Sequence, residues 1–600
     1  MFHSLLRKAQ NHTQMENTSN STRKLTPSRL QAYIKCPRQM YMEAGFPKKE
    51  GNPTVLEVAV NYKGILNRVC EAWFKRAGKE FTPMLTLSTA EKSCKVDYVV
   101  EGSASIELFH VVSSVMDDIS EVFTKKGEPK YEFKQYFIRA ALCHKIAKEI
   151  YKDKTVESHF LMLDGTKPMP VAGIEFDQFA TGVWGISGQV NPELADAIKD
   201  LNITETCERY ISGEIHPAYK KTLASVVSEA EYVLKAHSEP PCNITHVCAN
   251  CMAKDHCMKE KYSDYGTDKT LWEINNLNYK IKNQILGGNH YKMADIPDDV
   301  LTERQQIQKE KTLTQDRAPW FNKEAFKKMT ADWKYPLHCL DFETAVFPVG
   351  VFANTLPMTG VIYQYSDHEI DENGHIVKHS EYVSLEKGVN PTIALVRHLK
   401  DTLSKDNGTV VVYSQHENTY LSFAYEQILR EQPEDAKELL SFVRSIITPG
   451  DEMLARTGEE PWTPVRPLGD LLEVVKASFY QKDMGGSNSI KQVLPAILAS
   501  VSEVQDEWKD GYSGTNLHNQ CVINLNIEGS AVSPYDMLPK FPGVELHKGD
   551  QALELYGEVM LAKCSPERLA AIKQAMLAYC EMDTLAEVLV LQGLFALSKE

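Results

Sequence analysis

His338-Cys339-Leu340-Asp341-Phe342-Glu343-Thr344 is the stretch on which the reading of this chain turns. Apolar residues run into two acids separated by one position. In a strand, residues i and i+2 face the same way, so Asp341 and Glu343 present carboxylates to one side. Hard oxygen ligands of this kind suit Mg²⁺ or Mn²⁺. Two solvated acids closing a strand would read the same, so the partners decide. Val410-Val411-Val412-Tyr413-Ser414-Gln415-His416-Glu417 is an apolar strand that delivers a third acid to the start of a helix, where free amides also favour an anion. Tyr579-Cys580-Glu581-Met582-Asp583-Thr584 lies in the closing helix, with Tyr579 and Asp583 at i and i+4 on one face.

The flanking text supplies the elements. Leu337–Thr344, Gly360–Tyr365 and Thr409–Ser414 read as strands, Pro391–Leu403 and Glu417–Arg430 as helices, and about Pro566 to Leu597 as a long last helix. Strands mixed with helices predict an α/β layer fold. Residues 502 to 548 are poorly periodic and read as an insertion.

Acid-x-acid on a first strand, an acid after a later strand and Tyr-x3-Asp on a C-terminal helix resemble the DEDDy branch of 3′–5′ exonucleases, over about residues 335 to 597. The resemblance implies a ribonuclease H-like fold and two divalent ions roughly 3.5–4 Å apart. By that resemblance Asp341 bridges the ions, Glu343 and Asp583 complete the first ion's shell, Glu417 holds the second, and Tyr579 orients the attacking water. One departure is Glu417, where the superfamily usually has Asp. Asp451 and Asp470 are fallback ligands, although Asp470 also reads as the cap of the helix that follows it.

A more specific resemblance is to a bacterial domain-of-unknown-function family that joins a RecB-like front half to an exonuclease-like back half. It rests on the Asp-Phe-Glu-Thr core, on Gly485-Gly486-Ser487-Asn488-Ser489-Ile490-Lys491-Gln492-Val493-Leu494-Pro495, and on the Tyr-Cys-x-x-Asp-Thr ending. Ser487, Ser489 and Lys491 can contact phosphate; a Ser489–Gln492 capping box is the plainer reading of that stretch. Gln364 falls on the second strand, beside the acids, without an assigned role.

Thirteen cysteines in 600 residues are too few for a disulfide scaffold, but they cluster. Cys248 and Cys251, two residues apart, can grip one centre from a tight turn, and Cys257 returns a turn later. The fourth ligand is open. Cys242 would complete a local zinc site, whereas Cys36 would make a long-range staple around an iron–sulfur cluster. Leu25 to Met42, with Cys36-Pro37-Arg38 and Tyr41, resembles the opening of RecB-like nucleases that carry such a staple. That resemblance implies a [4Fe-4S] cluster on Cys36, Cys248, Cys251 and Cys257, with Zn²⁺ and Cys242 as the alternative.

The same nuclease family, of PD-(D/E)XK type, needs an Asp ending one strand and Glu-x-Lys on the next. Asp97 stands in the first place. Aligned on the serines that close the next strand, His110 replaces the Glu and Val112 the Lys. Valine cannot steady a nucleophilic water or a charged transition state. The front half therefore resembles a degenerate nuclease; the alternative takes Glu107 as the acid, still without a lysine.

A net charge of −15 excludes a globally basic nucleic-acid coat but not a local groove. No run of about 18 apolar residues predicts a membrane span. Met1 to Lys24 reads as a disordered lead, 25–262 as the RecB-like domain, 263–332 as linker and helices, and 333–600 as the exonuclease-like domain. The expected setting is the cytoplasm, where thiols stay reduced. Two functions compete. One is a metal-dependent exonuclease on 3′ ends of single-stranded DNA, with Tyr33, Lys35, Arg38 and Tyr41 of the front domain tracking the strand, although these residues read equally, and more commonly, as core and helix surface. The other is a non-catalytic adaptor that binds nucleic acid, a helicase or a defence-system partner.

Overall fold

The structure is a computed structural model that describes residues 24–43, 62–171, 173, 175–178, 184–187, 190–236, 238–347 and 350–599. Apart from Lys24, the expected disordered lead lies outside the described residues. The fold is mixed α/β with several sheets, in two compact units. Among the described residues no helix is long and apolar enough to cross a membrane.

In the first unit the Thr26 hydroxyl accepts from the Arg29 amide, and Pro27 fills the first turn of α1 (Pro27–Lys35). Pro37 opens α2 (Pro37–Glu43), and α3 spans Tyr62–Arg76. The sheet contains β1 (Thr82–Pro83), β2 (Tyr98–Glu101), β3 (Ser105–Met116), β4 (Thr155–Asp164) and β5 (Ile198–Asn202), side by side in that order. β3 and β4 run parallel, which demands a crossover, and α4 (Lys134–Ile150) supplies it. Phe137, Ile138 and Leu142 of α4 are fully buried in the core with Leu108 and Phe160 of the sheet. α5 (Leu223–Lys235) leads into the cysteine segment, which ends in α6 (Lys254–Lys261).

The second unit takes in Asp268–Glu600. Its main sheet is built from β6 (Leu337–Val346), β7 (Gly360–Ile370), β8 (Ile376–Val383), β9 (Val410–Val412) and β10 (Gly469–Asp470). Their spatial order is β8-β7-β6-β9-β10. The first three form an antiparallel meander, while β9 and β10 run parallel to β6. α7 (Thr392–Leu403) makes the crossover to β9, and α8 (His416–Glu431) follows it. Leu340, Phe342 and Ile362 share a core with Leu395, Leu399 and Leu421 of these helices. Asp341 and Glu343 alternate to the opposite face. There α11 (Pro566–Lys599) packs across β6 and β7, after α9 (Ile490–Ser500) and α10 (Gly549–Leu561). Gln364, unassigned from sequence, donates to the Met576 carbonyl at 2.9 Å and so docks α11 on the sheet.

The stretch expected as linker is woven into the second unit. Gln308 donates to the carbonyls of Glu273 and Gly485, Asn275 to that of Gly486, and Arg304 to the Asn488 side chain. A Cβ on Gly486 would sit 2.5 Å from the Glu273 carbonyl oxygen, so this contact needs glycine.

Gly593 of α11 lies against α9. A Cβ there would meet Ile497 Cγ2 at 2.5 Å. Gly593→Ala should therefore cost about 1–3 kcal/mol by overpacking, despite the better helix propensity of alanine. Urea unfolding would show this as a lowered midpoint at unchanged slope.

Candidate metal centre

Three elements bring the acids together. β6 gives Asp341 and Glu343 through its alternation, and α11 gives Asp583. Ligand oxygens of these three residues all lie within 4.8 Å of one another. Glu417 enters from the first turn of α8. It is 2% exposed, and its Oε2 has no hydrogen-bond partner. Its carboxylate accepts from its own amide and from that of Phe342, the residue between the two strand acids. Ser414, just before α8, has φ 104, a conformation that L side chains rarely adopt.

Burial and mutual repulsion dominate the electrostatics. Burial is the main cause throughout. It and the neighbouring acids raise the carboxyls of Asp341 and Glu343 well above the ordinary range. Glu417 is pushed up to about 8, with Asp470 and Asp583 adding to burial. Asp583 reaches only about 6, because Lys491 and hydrogen bonds from Tyr535 and Tyr579 pull against burial. Such crowding is relieved by protons or by a multivalent cation.

Three further residues join the site. Glu587 stands one turn beyond Asp583, is 1% exposed and has an unpartnered Oε2. Burial, then Glu417 and Asp583, push its carboxyl well up. The spacing 579, 583, 587 on an apolar helix was the available signal. Lys491, in the first turn of α9, donates to the Tyr579 hydroxyl at 2.6 Å. Tyr535, inside the expected insertion, donates to Asp583 Oδ1 at 2.5 Å. No local pattern marks Tyr535. The insertion is also tied down at Glu581, which accepts from Tyr512 Oη at 2.8 Å and from the amides of Thr515 and Asn516. It thus helps build the site's surroundings.

Asp470 caps its helix by accepting from the Glu473 amide, as its sequence suggests, and also accepts from Gln415. Asp451 lies exposed in the first turn of Asp451–Thr457. Ser489 occupies the N-cap position of α9, but its side chain makes no capping bond, so the expected capping box is not formed.

Residues 338–489 match the family model described as Domain of unknown function (DUF2779). The DUF2779 segment contains Asp341, Glu343 and Glu417 and stops short of Lys491, Tyr579 and Asp583. No curated protein and no solved structure matches the chain.

The first unit gathers the cysteines. Cys248 rides a short helical turn, His246–Asn250, and its sulfur accepts from the Thr245 amide at 3.4 Å. Burial raises the Cys251 thiol, and nearby Cys248 and Cys36 raise it further. Cys257 is pushed up to about 12 by burial and by Cys242, with Cys251 adding and Arg38 opposing. Cys36, Cys242, Cys248, Cys251 and Cys257 therefore share one neighbourhood. Arg38 is 2% exposed and ion-paired with Glu239 and Glu260, and Tyr33 donates to Glu229. Both side chains are spent inside the unit, which corrects their expected place along a bound strand.

At the front acid position, Asp97 accepts from the Val111 amide at 2.9 Å. β2 and β3 pair Tyr98 with Phe109, so the register continues with Asp97 toward His110. Val112 is fully buried in the core. Glu107 pairs instead with Val100, and its carboxylate is 2.6 Å from Lys79. Nothing in this register brings Glu107 to Asp97.

Proposed function

We propose that the second unit is a divalent-metal-dependent 3′–5′ exonuclease acting on DNA, with a ribonuclease H-like fold of DEDDy type. One observation carries the reading: the oxygens of Asp341, Glu343 and Asp583 converge within 4.8 Å beside the buried carboxylate of Glu417. An antiparallel meander followed by two strands parallel to its first supports the fold assignment. The donor set is all oxygen, and its crowding is of the kind a divalent cation relieves in place of protons, which fits Mg²⁺ or Mn²⁺. Asp341, Glu343 and Asp583 would hold one ion, and Asp341 with Glu417 a second. Bound there, the ions would supply positive charge to the attacking and leaving oxygens. Tyr579, one turn before Asp583, holds the water in line. The water oxygen bonds to phosphorus, the bond to the 3′-oxygen breaks, and that oxygen leaves as the hydroxyl of the shortened strand. A nucleoside 5′-monophosphate is released. Purified protein with Mn²⁺ and 3′-labelled single-stranded DNA should yield labelled mononucleotides from the first time point; internal fragments, or intact substrate, would refute it.

In the first unit we assign a PD-(D/E)XK-like domain without its own catalysis, stapled by a [4Fe-4S] cluster on Cys36, Cys248, Cys251 and Cys257. A single tetrahedral zinc needs sulfurs roughly 3.8 Å apart. Among the described residues, the groups of three ligands within 4.8 Å contain acids and histidines and no cysteine. The resemblance to RecB-like nucleases with a lone N-terminal cysteine favours the cluster over zinc with Cys242. Anaerobically purified protein should absorb at about 400 nm, and Cys251→Ser should remove the band. A colourless protein that binds one equivalent of zinc would reverse the assignment. Reduced thiols of this kind belong in the cytoplasm.

The adaptor reading, with a nucleic acid, helicase or defence-system partner, draws on His110 and Val112 standing where the front nuclease would need its acid and lysine. The crowded carboxylates of the second unit weigh against extending that loss to the whole chain.

A further inference from the structure

We infer that Lys491 is a positioning residue for Tyr579, a role outside the four-acid-and-tyrosine set. The inference rests on the exonuclease reading above. Its ammonium lies 2.6 Å from the Tyr579 hydroxyl oxygen, 5.0 Å from the centre of that ring and 4.9 Å from the centre of the Tyr535 ring. The His547 carbonyl, at 3.4 Å, takes another of its protons. Two aromatic faces and two acceptors thus fix one charge. With the ammonium donating to its oxygen, the phenol keeps its single proton and a second lone pair, and the lysine fixes the direction in which these face the water. Lys491 thus holds the Tyr579 hydroxyl one helical turn from Asp583, a proposed ligand. Tyr535 reaches Asp583 separately, at 2.5 Å, and braces the same carboxylate.

The surrounding structure is built to hold the lysine. Lys491 follows the Gly485–Ser489 loop, which Gln308, Asn275 and Arg304 pin from the 268–332 stretch. Tyr413 adds a bond from its hydroxyl to the Asn488 carbonyl at 2.6 Å. A lysine needed only to neutralise acids could float on its four-carbon stem. This one is held at its backbone and at its tip, and its side chain is only part-buried, so the site stays open on that side.

Lys491→Gln, Lys491→Met and Lys491→Arg test the role with Mn²⁺ and 3′-labelled single-stranded DNA, alongside Mn²⁺ titration by calorimetry and a thermal melt. The expected result is a fall of roughly 100-fold in kcat for the Gln and Met variants, the size seen when one preorganised donor is lost. KM for DNA and the number of Mn²⁺ bound should stay as in the unmodified protein, and Arg should recover most of the rate. Two neutral variants are used so that loss of fold in one leaves the other informative. Activity within threefold of the unmodified protein overturns the inference. So does altered Mn²⁺ binding in the Gln and Met variants that Arg, which keeps the charge, restores; that would make the lysine a charge balance. A raised KM at unchanged kcat also overturns it, making Lys491 a phosphate contact. If the unmodified protein releases no mononucleotide while Asp341→Ala still lowers Mn²⁺ binding, the exonuclease reading falls and takes this inference with it.

Discussion

Asp341→Ala should abolish Mn²⁺-dependent release of mononucleotides, a loss of roughly 1,000-fold or more. In the proposed centre Asp341 would contribute to both metal positions. Ligand oxygens of Glu343 and Asp583 lie within 4.8 Å of its own, and the nearby Glu417 and Glu587 add to the pressure on its carboxyl. Removing it withdraws a ligand from each position at once. Charge stabilisation by two ions is worth several kcal/mol, and about 4 kcal/mol corresponds to that factor in rate. The fold should survive, because the lost carboxylate is one of several that repel one another. Asp451→Asn, at an exposed helix start, should leave the rate within twofold. Retained activity in Asp341→Ala would place the chemistry elsewhere.

The metal-free protein should lose stability as pH rises from 5 to 8, and Mn²⁺ should reverse that loss. Asp583 and Glu417 move from ordinary values of 3.8 and 4.5 to about 6 and about 8. In that window the native state holds more protons than the unfolded chain, so stability falls with pH. The contribution is fully present below the unfolded values and is lost as pH passes through 6 and then 8. Metal takes the place of those protons. At a hundred times its Kd it adds about 2.7 kcal/mol, roughly 3–5 °C in Tm for a unit of this size. Glu417→Gln should melt higher than the unmodified protein without metal at pH 8 and gain less from Mn²⁺. A metal-free Tm that is flat between pH 5 and 8, with no response to Mn²⁺, would mean that these carboxylates do not form a cation site.

The α/β character of the second unit was legible because β6, β7 and β9 are built on apolar runs set between helical text, and strand alternation alone places Asp341 and Glu343 on one side. The i, i+4 rule likewise put Tyr579 and Asp583 on one face. What stayed hidden depends on contacts across long sequence separations. Tyr535 reaches Asp583 from an aperiodic segment whose text says only that it is irregular. Lys491 looked like a phosphate contact or a bystander beside a cap, and the cap itself does not form. Glu587 carried the right spacing but follows the Tyr-x3-Asp pattern rather than belonging to it. The stretch 263–332 read only as linker and helices because its polar side chains, such as Gln308 and Arg304, bond to backbone carbonyls and leave little apolar period.

β6 sets Leu340 and Phe342 against one layer of helices and Asp341 and Glu343 against the other. Sliding the strand by a single position would exchange the two sets, driving acid into oil and oil toward the cation. Misthreaded chains would then be sticky as well as inert, and chaperones and proteases would clear them. For this molecule, avoiding aggregation and assembling the proposed metal centre would both follow from one threading choice.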